Sequence, residues 1–589
     1  MQWEFDDIAS ETHPLYTRAV VGDHFPAPLT PLTATAGIGA ELGPAWREVY
    51  SDTGLLAEPT GPGPGPEPVA MFGGYLYLNT SLLRLFGLHA SDADPMAFAR
   101  QYLGERPDVP RQRDERAPVG TGTARPRDWT RLVLTDGLDR SEYLRTGRRA
   151  AELRAGYLDP AQCTDAELAE RILAVRAELR NALRLYVQAE LATAVASELL
   201  TRVCEEAGHL VATGELVAGL GGGLNEPVEV LCRLAAHIGR SEKLDRLFSQ
   251  GPAAVAAQLD APTGTELNRI SGALRQLLSG HGHVGPMEWE LSAETWGTDR
   301  RLLVTLLDLL RRADAEPDPA TRARLRANRT VQRAATIRSA LGGAPQATER
   351  FDNALGACRR WLLARQHVRS VASGLHHEQR LAARELGRRH LASGLLDGAE
   401  QIFMLLAGEL PEFAAEPAGF GETLRMRSYD YYALAGFQPP FVTIGQPPPA
   451  VRWPRADTAR ALAGRRGLAG TPVSPGVAGG AARVGGWAEP PTGLRPGDVL
   501  VLRSGGPSWV PLLPMVSAVV VDGGSALCDV ALSCRDLGIP CVVATVDATT
   551  RLGQGVSIEV DGFAGAVRFG GRGGAELTSL HGEPTKNPA

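Results

Sequence analysis

A long helical pattern occupies the middle of the chain and limits the class of fold it can adopt. From residue 129 to about residue 410, apolar side chains recur at the spacing of successive helical turns, most regularly over residues 166–208. The same spacing recurs in later stretches, at residues 228–239, 264–280, 300–313 and about 320–393. The pattern predicts a large, mainly α-helical central domain, which is either a scaffold or a substrate-binding domain with a groove between helices that holds an apolar ligand.

The C-terminal region follows a different pattern. Residues 466–572 contain short runs rich in valine and isoleucine, among them GDVLVLRS, VSAVVVDGG and PCVVATV. Between two of them lies ALCDVALSCRDLG, which has helical spacing and, in Gly538, a residue that can end a helix. The order of β, α and β elements predicts a compact α/β domain. The whole chain is therefore expected to be an α+β multidomain protein.

Prolines and glycines mark the segments outside these two domains. Residues 1–128 are expected to be an α/β segment that packs on the helical domain, with a loop at Pro59–Pro68. After that loop, MFGGYLYLNTSLLRLFG predicts one short strand and then a helix. Residues 411–465 are predicted to be a loop-rich linker, and residues 573–589 a disordered tail.

Charge and cysteine content argue against several classes of function. The net charge is -6 and no long basic block is present, so we expect no nucleic-acid partner. The seven cysteines include no CxxC pair, which argues against a structural zinc site and fits a reducing cytoplasm. No apolar stretch reaches the roughly 18 residues of a membrane span. We expect a cytoplasmic protein with no membrane partner, metal or cofactor.

Four motifs in the C-terminal region keep the order and spacing of a known domain. They are GTPVSPGVAGGAARV (Gly470–Val484), LRPGDVLV (Leu494–Val501), RDLGIP (Arg535–Pro540) and VDGFAGAV (Val560–Val567). This block resembles the swivelling phosphohistidine domain of phosphoenolpyruvate-utilising enzymes such as phosphoenolpyruvate synthase. The resemblance implies a β/β/α-type domain whose histidine carries a phosphoryl group.

Upstream segments narrow the resemblance to rifampicin phosphotransferase-like proteins. Thr17–Thr33 resembles the segment that follows the ATP-binding part in that family. Gly282–Glu290 and Ala382–Asp397 resemble its helical antibiotic-binding domain. Because the post-ATP segment begins by Thr17, we expect this chain to have no ATP-grasp domain. The sequence also contains no GxxxxGK[ST] phosphate-binding loop.

The residue that would carry phosphate in that family is replaced here. Alignment on RDLGIP places Asp529 at the family's histidine and Cys528 at the preceding serine or threonine. An imidazole nitrogen forms a labile phosphoramidate, whereas an aspartate can form an acyl phosphate, so the substitution alone does not exclude phosphorylation. With no ATP-grasp domain, no histidine and Ser525 in place of the second glycine of the motif, we expect the phosphoryl relay to be lost. The alternative is that Asp529 or Cys528 is a new nucleophile, Cys528 through a thiol pKa lowered near a helix start.

Two groups of acid–base residues fall in the helical domain. In GHGHVGPMEWELSAETW we select His283 as base, Glu288 as acid and Glu290 as a further catalytic candidate. In a strand, Glu288 and Glu290 would share one face. In the second group, GLHHEQR, His377 is a candidate; the alternative is a solvated helix face. The structural alternative for the first group is hydrogen bonding to helix ends.

Substrate-binding residues are predicted around these candidates. A carboxyl group packed against indole rings in a poorly solvated pocket has a raised pKa and can act as a general acid. Near the N-terminus, the matching family segment implies contacts where the domains meet, and Asp23 and His24 are given less weight. The predicted substrate-binding residues are Trp289, Trp296, Thr30, Pro31 and Thr33.

The sequence leaves three functions open. The first is an enzyme, a lyase or isomerase, that acts on a hydrophobic, polyketide-like natural product by dehydration, isomerisation or cyclisation. The second is a protein that binds or sequesters such a ligand without turnover. The third is one subunit of a split ATP-dependent phosphotransferase. The expected partner is the hydrophobic small molecule, with a second copy of the chain or a pathway protein as further candidates.

Overall fold

A computed structural model describes residues 5–569 of the chain, apart from several segments. The segments left out are 57–66, 91–101, 103–127, 136–139, 210–212, 220–224, 313–318, 456–466 and 487–488. Most of the loop expected at Pro59–Pro68 and all of the tail expected at 573–589 lie outside the described residues. Among the helices that are described, none combines the length and apolar character needed to cross a bilayer.

A four-stranded antiparallel sheet forms the N-terminal part of the protein, in the order β2-β3-β1-β4. Its strands are β1 (Leu15–Thr17), β2 (Val69–Phe72), β3 (Tyr75–Asn79) and β4 (Val442–Ile444). Gly73 and Gly74 both have positive φ angles and close the hairpin between β2 and β3. The single strand expected in MFGGYLYLN is therefore wrong, because these glycines reverse the chain within it. The helices of this part are α1 (Val21–His24), α2 (Pro31–Thr35), α3 (Ile38–Asp52) and α4 (Thr80–Ala90).

The middle of the chain is helical, as the apolar spacing predicts. A shared core of buried side chains joins its long helices to the N-terminal sheet. The first helices are α5 (Trp129–Leu134), α6 (Arg140–Ala155), α7 (Asp165–Ala174), α8 (Arg176–Glu206), α9 (Thr213–Val217) and α10 (Asn225–Arg240). They are followed by α11 (Glu242–Phe248), α12 (Pro252–Asp260), α13 (Thr265–His281), α14 (Arg300–Leu310), α15 (Pro319–Ala340) and α16 (Pro345–Ala392).

Helix α16 is 48 residues long and runs through the centre of the protein. The helical run expected from about 320 to 393 breaks before it, where Gly342 and Gly343 precede Pro345 in the first turn. Arg365 and Arg369 in its middle part are buried, and from Ala372 to Arg380 every residue is buried, polar ones included. A buried polar side chain must find a partner within the protein, so this part of α16 is where chemistry is expected.

The region predicted to be a loop-rich linker contains regular structure. Helices α17 (Leu410–Ala415) and α18 (Gly421–Ala435) fall in or next to residues 411–465, and β4 completes the N-terminal sheet. The linker prediction is wrong for these elements. The prolines that suggested it cluster at 446–454, after β4, and carry no information about the helix before it.

An eight-stranded sheet forms the C-terminal domain, in the order β5-β12-β11-β7-β8-β9-β10-β6. The pairs β7–β8, β8–β9 and β9–β10 are parallel and the others are antiparallel. Two helices accompany the sheet, α19 (Asp529–Leu537) and α20 (Ala548–Arg551). Helix α19 ends at Gly538, which has the left-handed conformation, as expected from the sequence. The strands are β5 (Gly467–Ala469), β6 (Thr471–Ser474), β7 (Val477–Val484), β8 (Val499–Leu502), β9 (Ala518–Val521), β10 (Cys541–Val543), β11 (Ser557–Asp561) and β12 (Ala566–Phe569). The α+β multidomain prediction is confirmed.

The C-terminal domain packs tightly on the helical domain. Apolar side chains of helices α10–α14 and of the C-terminal sheet belong to one continuous buried cluster. Its centre is a proline-containing 3-10 segment, Pro507–Met515, in which every residue is buried. Fully burying one leucine or valine is worth about 1.5–3 kcal/mol, so a cluster of this size holds the domain in place. This docking brings the first turn of α19 against α16.

Candidate active site

Arg369 of α16 lies between two carboxylates from different parts of the chain. Its guanidinium contacts Glu288 Oε1 at 2.9 Å through Nη2 and Asp529 Oδ2 at 2.7 Å through Nη1. All three side chains are buried. A buried charge needs a partner at this distance, so the cluster joins α16, the segment before α14 and the C-terminal domain.

Asp529 is the first residue of α19, with Cys528 as the N-cap. A carboxylate suits this position because backbone N–H groups at a helix N-terminus favour negative charge. The backbone N–H of Val530 donates to the carbonyl oxygen of Gly505 at 3.0 Å, and Gly505 N–H donates to Asp23 Oδ1 at 2.6 Å. The residue at the family's histidine position is thus held by the N-terminal segment as well as by Arg369.

Glu288 is held by a chain of polar contacts behind it. Ser373 Oγ donates to Glu288 Oε1 at 2.8 Å, and Trp289 Nε1 donates to Ser373 Oγ at 2.9 Å. The His24 ring stacks on Trp289 with 4.0 Å between ring centroids. Burial raises the pKa of the Glu288 carboxyl, while Arg369 opposes that rise. Glu288 therefore combines a fixed position with a raised affinity for a proton.

A cavity of about 340 Å³ lies beside this cluster, between the helical and C-terminal domains. Its wall is apolar on one side and polar on the other. The apolar wall is formed by Pro227, Val228, Val284, Trp296, Leu363, Pro507 and Pro511. The polar wall is formed by His281, His283, Glu288, Gln366, His367, Arg369, Ser370 and Asp529. A mainly apolar cavity with a few convergent polar groups is the usual form of a small-molecule site.

Four of the residues predicted from sequence meet at this cavity: His283, Glu288, Trp296 and Asp529. His283 is buried and its Nε2 lies 3.3 Å from Ser370 Oγ. Burial lowers the pKa of His283 to about 3, and Arg154 adds to the effect. The imidazole is therefore neutral at neutral pH and has one nitrogen able to accept a proton or a hydrogen bond.

Glu290 points away from the cavity and binds the N-terminal segment. Its Oε1 accepts hydrogen bonds from Thr30 Oγ1 at 2.7 Å and from Thr33 Oγ1 at 2.8 Å. The expectation that Glu288 and Glu290 share a face is wrong, because residues 284–298 form turns and not a strand. Thr30, Pro31 and Thr33 are buried around Glu290 and do not line the cavity.

The remaining candidates are buried outside the cavity. His377 contacts Arg380, with 3.3 Å between Nδ1 and Nη1, and burial lowers its pKa. The solvated helix face considered for His376, His377 and Glu378 is wrong, because all three are buried. Trp289 supports Glu288 from behind, through Ser373, and is not part of the cavity wall.

Arg369 was not among the residues singled out in the sequence, and neither were Gln366, Ser370 and Ser373. These four polar residues follow one another at the spacing of helical turns, so they share one face of α16. The spacing is visible in the sequence. Long arginine-rich helices usually place such a stripe in solvent, however, and only the tertiary packing shows that Arg369 and Ser373 are buried and that the stripe faces the cavity and Glu288.

Cys528 is expected to be unreactive in the folded protein. Its side chain is buried, and an added Cβ at Gly505 would lie 2.7 Å from its sulfur. Burial raises the pKa of the thiol well above its ordinary value, so the lowered pKa considered from sequence is wrong. Treatment of the native protein with iodoacetamide at neutral pH, followed by peptide mass mapping, should modify the half-buried Cys163 and Cys232 and leave Cys528 intact. Equal labelling of Cys528 and Cys163 would contradict this assignment.

Comparison with known proteins supports two parts of this architecture. The family model described as rifampicin phosphotransferase fourth domain matches residues 183–366, and the model described as PEP-utilising enzyme, mobile domain, matches residues 494–565. The first match includes most of α8 and the first half of α16, and the second includes Asp529. The cavity therefore lies between two regions that each resemble a domain of this family.

Curated relatives match parts of the chain. Chondramide synthase cmdD of Chondromyces crocatus is 30% identical over 347 residues, which is 52% of this chain and 9% of that protein. Phosphoenolpyruvate synthase of Aeropyrum pernix is 44% identical over 102 residues, 17% of this chain and 12% of the relative. Prodigiosin synthesizing transferase PigC of Serratia marcescens is 31% identical over 191 residues, 31% of this chain and 21% of the relative.

The chain spans about a third or less of the length of the curated relatives it matches first, with 9% and 34% as the shares of the first two. On these matches, the chain contains one region that matches the fourth domain of rifampicin phosphotransferase and one that matches the mobile domain of phosphoenolpyruvate-utilising enzymes.

Proposed function

We propose that this protein binds a mainly apolar natural product in the cavity between its two domains and catalyses a proton-transfer reaction on it. Dehydration, isomerisation and cyclisation are the reactions that need only an acid, a base and a dry pocket. The observation that carries the proposal is the Glu288–Arg369–Asp529 cluster on the wall of that cavity.

The same cluster argues against a phosphoryl relay through residue 529. A carrier histidine must collect phosphate at one place and deliver it at another, which requires the mobile domain to leave the substrate domain. Here Asp529 makes a buried ion pair with Arg369, so a displaced position of the domain would break this contact and leave Arg369 without one of its two carboxylates. The C-terminal domain thus serves as a fixed wall of the site.

Glu288 and His283 are suited to the roles of acid and base. The raised pKa of Glu288 lets it hold a proton closer to neutral pH, and the neutral imidazole of His283 offers an unprotonated nitrogen. Both side chains line the same cavity. The names of two relatives, a chondramide synthase and a prodigiosin synthesizing transferase, support a natural product as the substrate class.

A second candidate function is retention of the ligand without turnover. It is favoured by the contact between Arg369 and both carboxylates, since an arginine partner stabilises the ionised form and weakens a general acid. Catalysis and retention both predict that the ligand binds. Catalysis predicts that the recovered ligand is chemically changed, and retention predicts that it is unchanged.

Comparison of the wild type with a Glu288→Gln, His283→Ala double variant tests the proposal. Each is incubated with a metabolite extract from a natural-product-producing culture, and mass spectrometry follows ions that lose one water or change retention at constant mass. We expect the double variant to convert any such ion at least about tenfold more slowly. Glu385→Gln is the matched control, because Glu385 is a buried glutamate of α16 bound to Arg388 and Arg389, outside the cavity. Conversion at equal rates by wild type and double variant would exclude these roles, and recovery of bound, unchanged ligand would favour retention.

A further inference from the structure

Some polar atoms of the cavity wall lack hydrogen-bond partners. Besides one donor, Arg369 Nε, three atoms that can accept a hydrogen bond are buried and bind no partner within the part of the chain that the structure describes: Asp529 Oδ1, Gln366 Oε1 and His283 Nδ1. All three belong to residues that line the cavity. Native proteins leave few buried polar atoms unpaired, and those that remain are often found at functional sites.

Asp529 is the best defined of the three. Its Oδ2 is fixed by Arg369 at 2.7 Å, and its backbone is the first residue of α19. A carboxylate oxygen can only accept, so the free Oδ1 needs a donor. Gln366 and His283 can each present an acceptor as well, since an amide has a carbonyl oxygen and a neutral imidazole has one unprotonated nitrogen.

The charges on the cavity wall also favour a ligand that donates hydrogen bonds. Two carboxylates, Glu288 and Asp529, share a single guanidinium, and the nearby Arg365 is occupied by Glu190. His283 adds no positive charge at neutral pH. Three of the four unpaired atoms of the wall can accept a hydrogen bond, and Arg369 already faces two carboxylates, so the wall favours a ligand that brings hydrogen-bond donors.

We propose that the cavity selects ligands that carry a hydroxyl or amine donor next to an apolar skeleton, and that Asp529 Oδ1 accepts a hydrogen bond from that donor. The proposal deepens the function proposed above, since it concerns ligands of the same cavity. It makes Asp529 a substrate-recognition residue supplied by the C-terminal domain. The residue at the family's phosphate-carrying position then binds the ligand directly and transfers nothing to it.

A matched set of small probes tests this selectivity on the full chain. The probes are 4-phenylcyclohexanol, its methyl ether, 4-phenylcyclohexylamine and 4-phenylcyclohexanecarboxylic acid, with dissociation constants measured by titration calorimetry or ligand-observed NMR. We expect the alcohol and the amine to bind about tenfold more tightly than the ether, the effect of one hydrogen bond to a charged acceptor. The carboxylic acid should bind most weakly.

Asp529→Asn should reverse the polarity of this contact. Its carbonyl oxygen can keep the bond to Arg369, which leaves the amide NH2 toward the cavity in place of an acceptor. The preference for alcohol over ether should then fall to about one. Asp498→Asn is the matched control, because Asp498 is also buried and pairs with an arginine, Arg483, at 2.7 Å in the same domain. A thermal unfolding curve for each variant verifies that it is folded.

The outcomes separate the two proposals. Equal binding of alcohol and ether by the wild type, absence of binding by all four probes, or an unchanged preference in Asp529→Asn would overturn donor selection. A donor preference that depends on Asp529, with no conversion in the metabolite experiment, would support donor selection and overturn the catalytic proposal. Conversion that depends on Glu288 and His283, without any preference for hydrogen-bond donors, would support the catalytic proposal and overturn donor selection.

Discussion

Replacement of Arg369 by methionine should destabilise the protein by about 3–5 kcal/mol, because it removes the partner of two buried carboxylates at once. Methionine fills most of the same volume, so the loss comes from charge and not from a cavity. The contact between α16 and the first turn of α19 should weaken most. Hydrogen exchange of amides in α19 measures the local free energy of opening, which avoids treating a multidomain chain as one two-state unit.

A surface ion pair provides the matched control for that experiment. Arg338 contacts Asp352 at 2.6 Å, but the two side chains are 41% and 44% exposed. Arg338→Met should therefore cost about 0–1 kcal/mol. Adding Glu288→Gln and Asp529→Asn to Arg369→Met removes the stranded charges and should recover part of the loss. If Arg369→Met were as stable as Arg338→Met, the buried ion pairs of Arg369 would contribute nothing measurable to the contact between α16 and α19.

The broad architecture could be predicted from the sequence because it depends on local patterns. Apolar spacing of 3.6 residues identified the helical domain, valine-rich runs identified β8, β9 and β10, and Gly538 marked the end of α19. Strands β5–β7 were harder to see, since VAGGAARV lacks the alternation of a half-buried strand. Residues 421–435 were hidden because prolines further on suggested an irregular segment.

The candidate site could be predicted only in part, for a physical reason. Each predicted group came from a short segment, and such a segment shows its residue types but not its partners. Glu288 and Glu290 differ by two positions in one turn region, yet one contacts Arg369 and the other contacts Thr30 and Thr33. Asp529 was singled out by comparison with the family's histidine, but its partner on α16 is 160 residues earlier in the chain. Long-range pairing of this kind leaves no local sequence signal.

Replacement of Asp23 by asparagine should stabilise the protein at neutral pH, by about 3 kcal/mol. Burial is the main cause that raises the pKa of Asp23 to about 6; Asp529 contributes to the rise, and Gly505 N–H and two arginines oppose it. Between about pH 4 and pH 6 the folded protein keeps this proton while the unfolded chain, with a pKa near 3.8, releases it. Stability contributed by this group therefore falls as pH rises through that window, by about 1.4 kcal/mol for each pKa unit. Asparagine keeps an oxygen to accept from Gly505 and has no proton to lose.

The difference in stability between Asp23→Asn and wild type, measured from pH 3.5 to pH 7.5 by denaturant unfolding, isolates this group from all the others that titrate. The difference should be near zero in acid, increase through pH 4–6 and level off above it. Asp561 provides a control of opposite sign, because backbone N–H groups of Ala564 and Phe563 and the nearby Arg568 lower its pKa. Asp561→Asn should cost stability at neutral pH and lose that cost in acid. A flat difference profile for Asp23→Asn would mean that the carboxyl has the same pKa in the folded and unfolded states, so that Gly505 N–H and the nearby arginines Arg365 and Arg369 cancel the effect of its burial.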